Sequence, residues 1–300
     1  MVALDSRART AQIDRMVAPT SIAKPAAPAA LHPVLQTLLS RPYPAIMGVL
    51  NLTPDSFSDG GMFLAPDRAL ARARRMVAEG ADIIDVGAES TRPYGAQPIS
   101  AEQEIERLQG VLADLVFLGV PISIDSMKAD VAHFALQRGV AVVNDVWGLQ
   151  RDDAMAELVA AYGAAVIVMH NREQVDPELD IMSDIAAFFS RSLDIAAKAG
   201  IPPGHIVLDP GIGFGKTHEQ SMTVLARFDE LGAFGRPLLV GASRKRFISS
   251  VVPSEPVERL GGSIAAHMIA TQRGARIVRT HDVVETAQAL RVANAIEGKR

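Results

Sequence analysis

The chain has no cysteine. That absence removes disulfides, thiolate metal sites and cysteine nucleophiles, and it allows a reducing cytoplasm, the expected setting, without requiring one. Aromatic residues are scarce, 5% against 48% hydrophobic overall, so a core must be built from Ala, Val, Ile and Leu, as in α/β proteins. Neither sign of charge dominates: 30 basic residues face 34 acidic ones, spread along the chain. A broad nucleic-acid-binding face is therefore excluded, and any anion site has to be local. No apolar run reaches the ~18–20 residues of a membrane-spanning helix, so no membrane partner is expected. The seven histidines include no H-x-x-x-H pair, which argues against a histidine-built zinc site.

What is present begins with breaks. Lys24-Pro25-Ala26-Ala27-Pro28 interrupts any element, and no apolar signal region precedes it. Arg7, Arg9 and Arg15 suit a transit peptide, but Asp5 and Asp14 argue against one. Residues 1–35 are read as a disordered extension, and residues 36–300 as one folded domain.

Past the extension, eight short β-branched runs alternate with helical patterns: Ala45 to Asn51, Ala81 to Gly87, Pro121 to Ser126, Val140 to Asp145, Ala164 to His170, Ile206 to Gly211, Pro237 to Ser243 and Arg276 to His281. Their continuous hydrophobicity fits strands covered by helices on the outside and packed within. Ser100-Ala-Glu-Gln103 is a capping box ahead of a stripe of Ile105, Leu108, Leu112 and Leu115, and Asp282-Val-Val-Glu285 repeats the device. Gly80, Gly119, Gly139, Gly163, Gly200 and Gly274 fall where helices must turn back into strands. Eight βα units without a composition break predict a single closed (β/α)8 barrel, whose active site lies at the carboxyl ends of the strands.

Convergence of those ends would gather Asn51, Asp85, Asp125, Asn144, Asp145, Met169, His170, Asp209, Ser243, Lys245, Arg279 and His281. Asp125, Asn144, Asp209 and Lys245 supply donors and acceptors for the edge of a flat, nitrogen-rich heterocycle, with Met169 as an apolar wall. Arg279 and His281, two apart on a strand, face the same side and suit a phosphate, with the following helix adding its N-terminal dipole. Asp209-Pro-Gly-Ile-Gly-Phe-Gly-Lys-Thr217 has the look of a phosphate-binding loop, but Pro210 stands where that pattern needs glycine. It reads instead as a flexible loop carrying Phe214 over the mouth.

Asn51-Leu-Thr-Pro-Asp-Ser-Phe-Ser-Asp-Gly-Gly61, Gly87-Ala-Glu-Ser-Thr-Arg-Pro93, Ile124-Asp-Ser126, Met169-His170, Gly215-Lys216, Ser243-Arg-Lys245 and Arg279-Thr-His281 together resemble the dihydropteroate synthase family, from about residue 45 to the C-terminus. The resemblance implies a transferase that joins 4-aminobenzoate to 6-hydroxymethyl-7,8-dihydropterin diphosphate, releases diphosphate and requires Mg²⁺. It implies Asn51 as metal ligand, Thr91, Asp125, Asn144, Asp209 and Lys245 on the pterin diphosphate, and Arg279 and His281 on its phosphates. Phe57, Pro93 and Phe214 would frame the aminobenzoate ring, Asp59 and Arg92 would pair as two loops close, and Arg246 would meet the aminobenzoate carboxylate. A homodimer and competition by sulfonamides are implied as well. The sequence departs from the family pattern at Tyr94, at Asn171 to Asp176 and at Arg246. A pterin-binding methyltransferase on the same barrel and a non-catalytic pterin-binding paralogue are the alternatives. The methyltransferase would have no use for Ser243-Arg-Lys245, Arg279-Thr-His281 or the Thr-Pro-Asp-Ser-Phe57 loop, and intact Asn51, Lys245, Arg279 and His281 weigh against the paralogue, since a decayed site tends to lose charged groups that are costly to bury.

Overall fold

The computed structural model describes residues 30–53, 66–89 and 98–299. Eight parallel strands close in sequential order: β1 (Ala45–Asn51), β2 (Ile83–Gly87), β3 (Ile122–Asp125), β4 (Val142–Asp145), β5 (Ala165–Met169), β6 (Ile206–Asp209), β7 (Leu238–Val240) and β8 (Ala275–Thr280), with β8 pairing back onto β1. The predicted (β/α)8 barrel is the observed fold.

The helices are α1 (Pro33–Leu39), α2 (Pro66–Glu79), α3 (Ala101–Gln109), α4 (Leu112–Leu115), α5 (Ala129–Leu136), α6 (Ala154–Tyr162), α7 (Ile181–Ala199), α8 (His218–Ala226), α9 (Arg246–Val251), α10 (Leu260–Gln272) and α11 (Val283–Glu297). The capping box at Ser100 forms in full. The apolar stripe behind it does not run as one helix: it breaks at Gly110, and Leu112 and Leu115 sit on the separate α4. The second expected box is absent, because Asp282 makes no capping bond and is engaged by Arg244 instead. Gly80, Gly119, Gly139, Gly163, Gly200 and Gly274 all take positive φ, as their helix-ending positions require.

Residues 30–35, assigned to the extension from the sequence, are among those described. His32 caps α1, whose Leu35 and Leu38 are buried and pack with Ala45, Met47, Ile83, Val142, Ile167, Val207, Leu239 and Ile277 in the lower part of the barrel interior. Residues 1–29 lie outside the described residues. A separate, larger core fills the space between strands and outer helices.

The pleat then decides where polarity appears. Residues two apart on a strand face the same side, so the step from each interior hydrophobe to the next inward position leads from Ile83 to Asp85, from Val142 to Asn144, from Val207 to Asp209 and from Ile277 to Arg279. The apolar layer at the amino end of the barrel is succeeded by a polar layer at its carboxyl end.

Candidate active site

Strand register places these polar groups beside one another. Gly87, Asp125 and Asn144 are successive partners across β2, β3 and β4, and Met169 faces Asp209 across β5 and β6. Arg279 ties the layer together from β8: its Nε donates to Asp85 Oδ2 at 2.7 Å and its Nη2 to Asp125 Oδ2 at 2.6 Å. Asn144 Nδ2 donates to the same Asp85 oxygen at 3.1 Å. The second oxygens of Asp85 and Asp125 have no hydrogen-bond partner among the described residues. A buried acceptor without a donor is costly, so this layer is complementary to a ligand that brings N–H groups.

Burial raises the Asp125 carboxyl to about 7, with Asp85 adding to the effect and Arg279 opposing it. Asp209 is also raised by burial, against the N–H of Gly211, which donates to its Oδ1 at 2.7 Å, and against Arg279 and Lys245. Burial and the neighbouring Arg279 bring Lys245 down to about 8, although Asp209 and Asp125 resist. Burial thus perturbs all three groups, a pattern typical of functional sites.

Above this layer opens a cavity of about 760 Å³, lined among others by Asn51, Arg172, Phe214, Lys245, Arg279 and His281. Asp125, Asn144, Met169 and Asp209 are each 3% exposed and do not line it. From the sequence they are expected at an open mouth; they lie behind it, with Arg279 reaching from the cavity wall to Asp85 and Asp125. The Lys245 Nζ sits 3.9 Å from the centre of the Phe214 ring, which packs with Met169 and Val146. His281, just past the end of β8, shares the cavity wall with Arg279 and pairs through Nδ1 with the Ser243 hydroxyl at 3.0 Å. Burial and three nearby cations hold it down to about 3, so it is neutral at pH 7 before an anion arrives. Arg246 opens α9 at the cavity edge.

Cations outnumber acids around the opening: Arg172, Lys216, Arg244, Lys245, Arg246, Arg259 and Arg279 stand against Glu89 and Glu173. Such a wall draws anions. Thr91, Arg92, Pro93, Phe57 and Asp59, with Tyr94, lie outside the described residues.

The structure also brings in groups that motif reading left without a role. Lys216, 5% exposed, donates to His170 Nδ1 at 2.7 Å, to Gly211 O at 2.9 Å and to Phe214 O at 3.1 Å, and His170 Nε2 pairs with Asp184 at 3.0 Å. All three ammonium hydrogens are spent on shaping the loop after β6. That loop needs glycine at 211, since φ is +65° and a Cβ would stand 2.0 Å from the His170 carbonyl oxygen. Burial is the main cause that brings Lys216 down to about 7. Elsewhere Lys128 joins Glu89 Oε2 at 2.7 Å and Glu104 Oε2 at 2.9 Å, while Glu89 Oε1 accepts from Ile99 N at 3.1 Å. One signal was visible for this cluster: Glu104 falls on the buried stripe of α3, where an acid needs a partner.

Fold and site define an α/β-barrel enzyme that binds a flat heterocycle carrying an anionic tail. The family model described as pterin binding enzyme matches residues 47–281, and the chain belongs to that family. It is 41% identical over 255 residues to the dihydropteroate synthase of Bacillus subtilis, covering 85% of this chain and 89% of that protein. A dihydropteroate synthase from Thermus thermophilus solved in complex with 6HMPPP is 44% identical, with a TM-score of 0.75 over 86% of this chain and 95% of the other. The Xanthomonas albilineans enzyme solved with 4-aminobenzoic acid is 38% identical, with a TM-score of 0.82 over 86% of this chain and 94% of the other.

Proposed function

We propose that the chain catalyses the dihydropteroate synthase reaction. The C–O bond between the pterin methylene and diphosphate breaks, its electron pair leaving with diphosphate, and the amine of 4-aminobenzoate bonds to the methylene and gives up a proton. The observation that carries this reading is the pairing of a buried, donor-hungry layer at Asp85, Asp125 and Asn144 with a cationic cavity directly above it. The layer suits a heterocycle rich in N–H groups, and the cavity suits its diphosphate and the aminobenzoate carboxylate.

Asp125, Asn144, Asp209 and Lys245 are assigned to the pterin, with Met169 as an apolar wall, and Phe214 to the aminobenzoate ring. Arg279 and His281 are assigned to the diphosphate. An arriving anion offsets the repulsion from Arg279, Arg244 and Lys245 but not the burial that is the main cause of the low His281 value, so the neutral ring is assigned as a hydrogen-bond partner of the diphosphate. Arg246 is assigned to the aminobenzoate carboxylate. The roles given above to Thr91, Arg92, Pro93, Phe57 and Asp59 rest on the sequence resemblance.

Mg²⁺ belongs to the same proposal. Among the described residues no group of three or more His, Asp or Glu side chains is placed to hold a metal. Asn51, half-buried at the end of β1 and on the cavity wall, offers one hard oxygen donor. That donor set fits a metal carried in by diphosphate oxygens, since Mg²⁺ prefers oxygen and keeps several waters. When bound, it would neutralise charge on the departing diphosphate. A homodimer is proposed as well, for which exposed Ile269 on α10 and Val284, Val292 and Ile296 on the adjoining α11 provide aliphatic surface. A cytoplasmic setting completes the reading; without cysteine the fold is indifferent to redox conditions.

Incubation with 6-hydroxymethyl-7,8-dihydropterin diphosphate, Mg²⁺ and labelled 4-aminobenzoate tests the function. Labelled dihydropteroate, inhibited competitively by a sulfonamide, is the expected result. Pterin binding without product would instead place the chain among non-catalytic paralogues.

A further inference from the structure

Arg244, the middle residue of Ser243-Arg-Lys245, has φ of +57°. Left-handed backbone is disfavoured for residues with a Cβ, and it persists only where surrounding contacts impose it. Here four contacts do so. The Arg244 N–H donates to Ser263 Oγ at 2.8 Å, and its carbonyl accepts from Arg259 Nη1 at 3.1 Å. Its guanidinium donates through Nε to Asp282 Oδ2 at 3.0 Å and through Nη2 to Asp282 Oδ1, a two-point charged pair. Ser263 Oγ in turn donates to Arg259 O at 2.8 Å, so Ser263 on α10 and Arg259 at its N-cap hold each other as well as the turn.

The consequence falls on the neighbours. With Arg244 left-handed, Ser243 reaches His281 while Lys245 reaches the Phe214 ring and the surroundings of Asp209. One residue thus sends its two flanking side chains to different stations: one beside the proposed diphosphate site, the other beside the proposed heterocycle site. Asp282 meanwhile makes no capping bond to α11, although it occupies the N-cap position. A capping side chain is worth about as much as an ordinary hydrogen bond, and here it is committed to the turn instead.

We propose that Asp282, with Ser263 and Arg259, is a positioning residue for the condensation: it holds Arg244 in the left-handed conformation that aims Ser243 and Lys245. This rests on the functional reading above. None of the three is assigned a contact with either substrate.

The test compares Arg244→Ala with Arg244→Gly. Both lose the pair with Asp282, but only alanine bears the left-handed backbone penalty, and the bonds from Ser263 and Arg259 to the backbone remain in both. Expected is a lower kcat/KM for Arg244→Ala than for Arg244→Gly by roughly tenfold. Asp282→Ala is expected to lower kcat/KM by roughly tenfold, and adding Arg244→Gly to Asp282→Ala is expected to raise it again. Ser263→Ala, a milder change, should reduce kcat/KM several-fold if the Arg244 variants prove insoluble. Thermal melts separate aim from stability: activity per folded molecule has to fall in the alanine variants. Equal kcat/KM for Ala and Gly at position 244, or no rescue of Asp282→Ala, overturns the inference while leaving the function intact. Absence of dihydropteroate from the unaltered protein overturns the functional reading instead.

Discussion

His267 shows what a single buried side chain does to the response to pH. It is 1% exposed on α10, and neither ring nitrogen has a hydrogen-bond partner among the described residues. Burial lowers it from 6.5 to about 4, against a weak pull from Asp282. Between those values the unfolded chain binds a proton that the folded chain refuses, so folding stability is lost as pH falls from about 6.5 through 4. At about 1.4 kcal/mol per pKa unit the effect is about 3 kcal/mol. Replacing His267 by Leu is expected to leave stability at pH 7 unchanged or improved, because no hydrogen bond is broken, and to flatten the decline toward pH 4. Melts of both forms across that range check this; parallel curves would contradict it. Composition gave no hint of this group, since a histidine on an apolar helix face looks the same in sequence whether or not its ring finds a partner.

Among elements, α1 is the one whose purpose was hidden. Proline and alanine before it read as an unstructured tail, and seven residues are too few for helical periodicity to speak. Yet Leu35 and Leu38 enter the lower barrel core, and Arg276 Nη2 donates to Leu39 O at 2.7 Å across the chain. Truncating Leu35 to Ala should cost about 3 kcal/mol through lost contacts and a residual cavity. In a domain of this size that lowers Tm by about 6–12 °C. Because α1 lies at the end of the barrel opposite the site, kcat of the folded enzyme should not change. A kcat that falls with Tm would show that the two ends are coupled. The two capping motifs differ in the same instructive way. Ser100 caps as its sequence suggests, whereas Asp282 meets a guanidinium, and a charged pair outweighs a backbone cap.

For the whole molecule, the barrel was legible because eight continuous apolar runs, each carrying a polar residue at or near its carboxyl end, leave few other ways to bury both faces of a sheet. The candidate site was legible to the same depth: Asp125, Asn144, Asp209, Lys245, Arg279 and His281 do converge at one end. Their mutual engagement was not legible. Strand periodicity states which way a side chain faces, but not that Arg279 spans the interior to reach Asp85 and Asp125, nor that Lys216 spends its charge inside a loop. Those outcomes depend on distances across the barrel that no local spacing encodes.

In this enzyme one buried layer is assigned to the heterocycle and a separate cationic cavity to its diphosphate. Calorimetric titration of 6-hydroxymethylpterin diphosphate and of the same pterin without phosphates, at low and high salt, measures the two parts directly. The diphosphate form is expected to bind at least about a hundredfold tighter at low salt, salt to narrow the gap, and Asp209→Asn to weaken both ligands alike. Equal affinity for the two ligands, or unchanged binding of both by the Asp209 variant, would contradict that assignment.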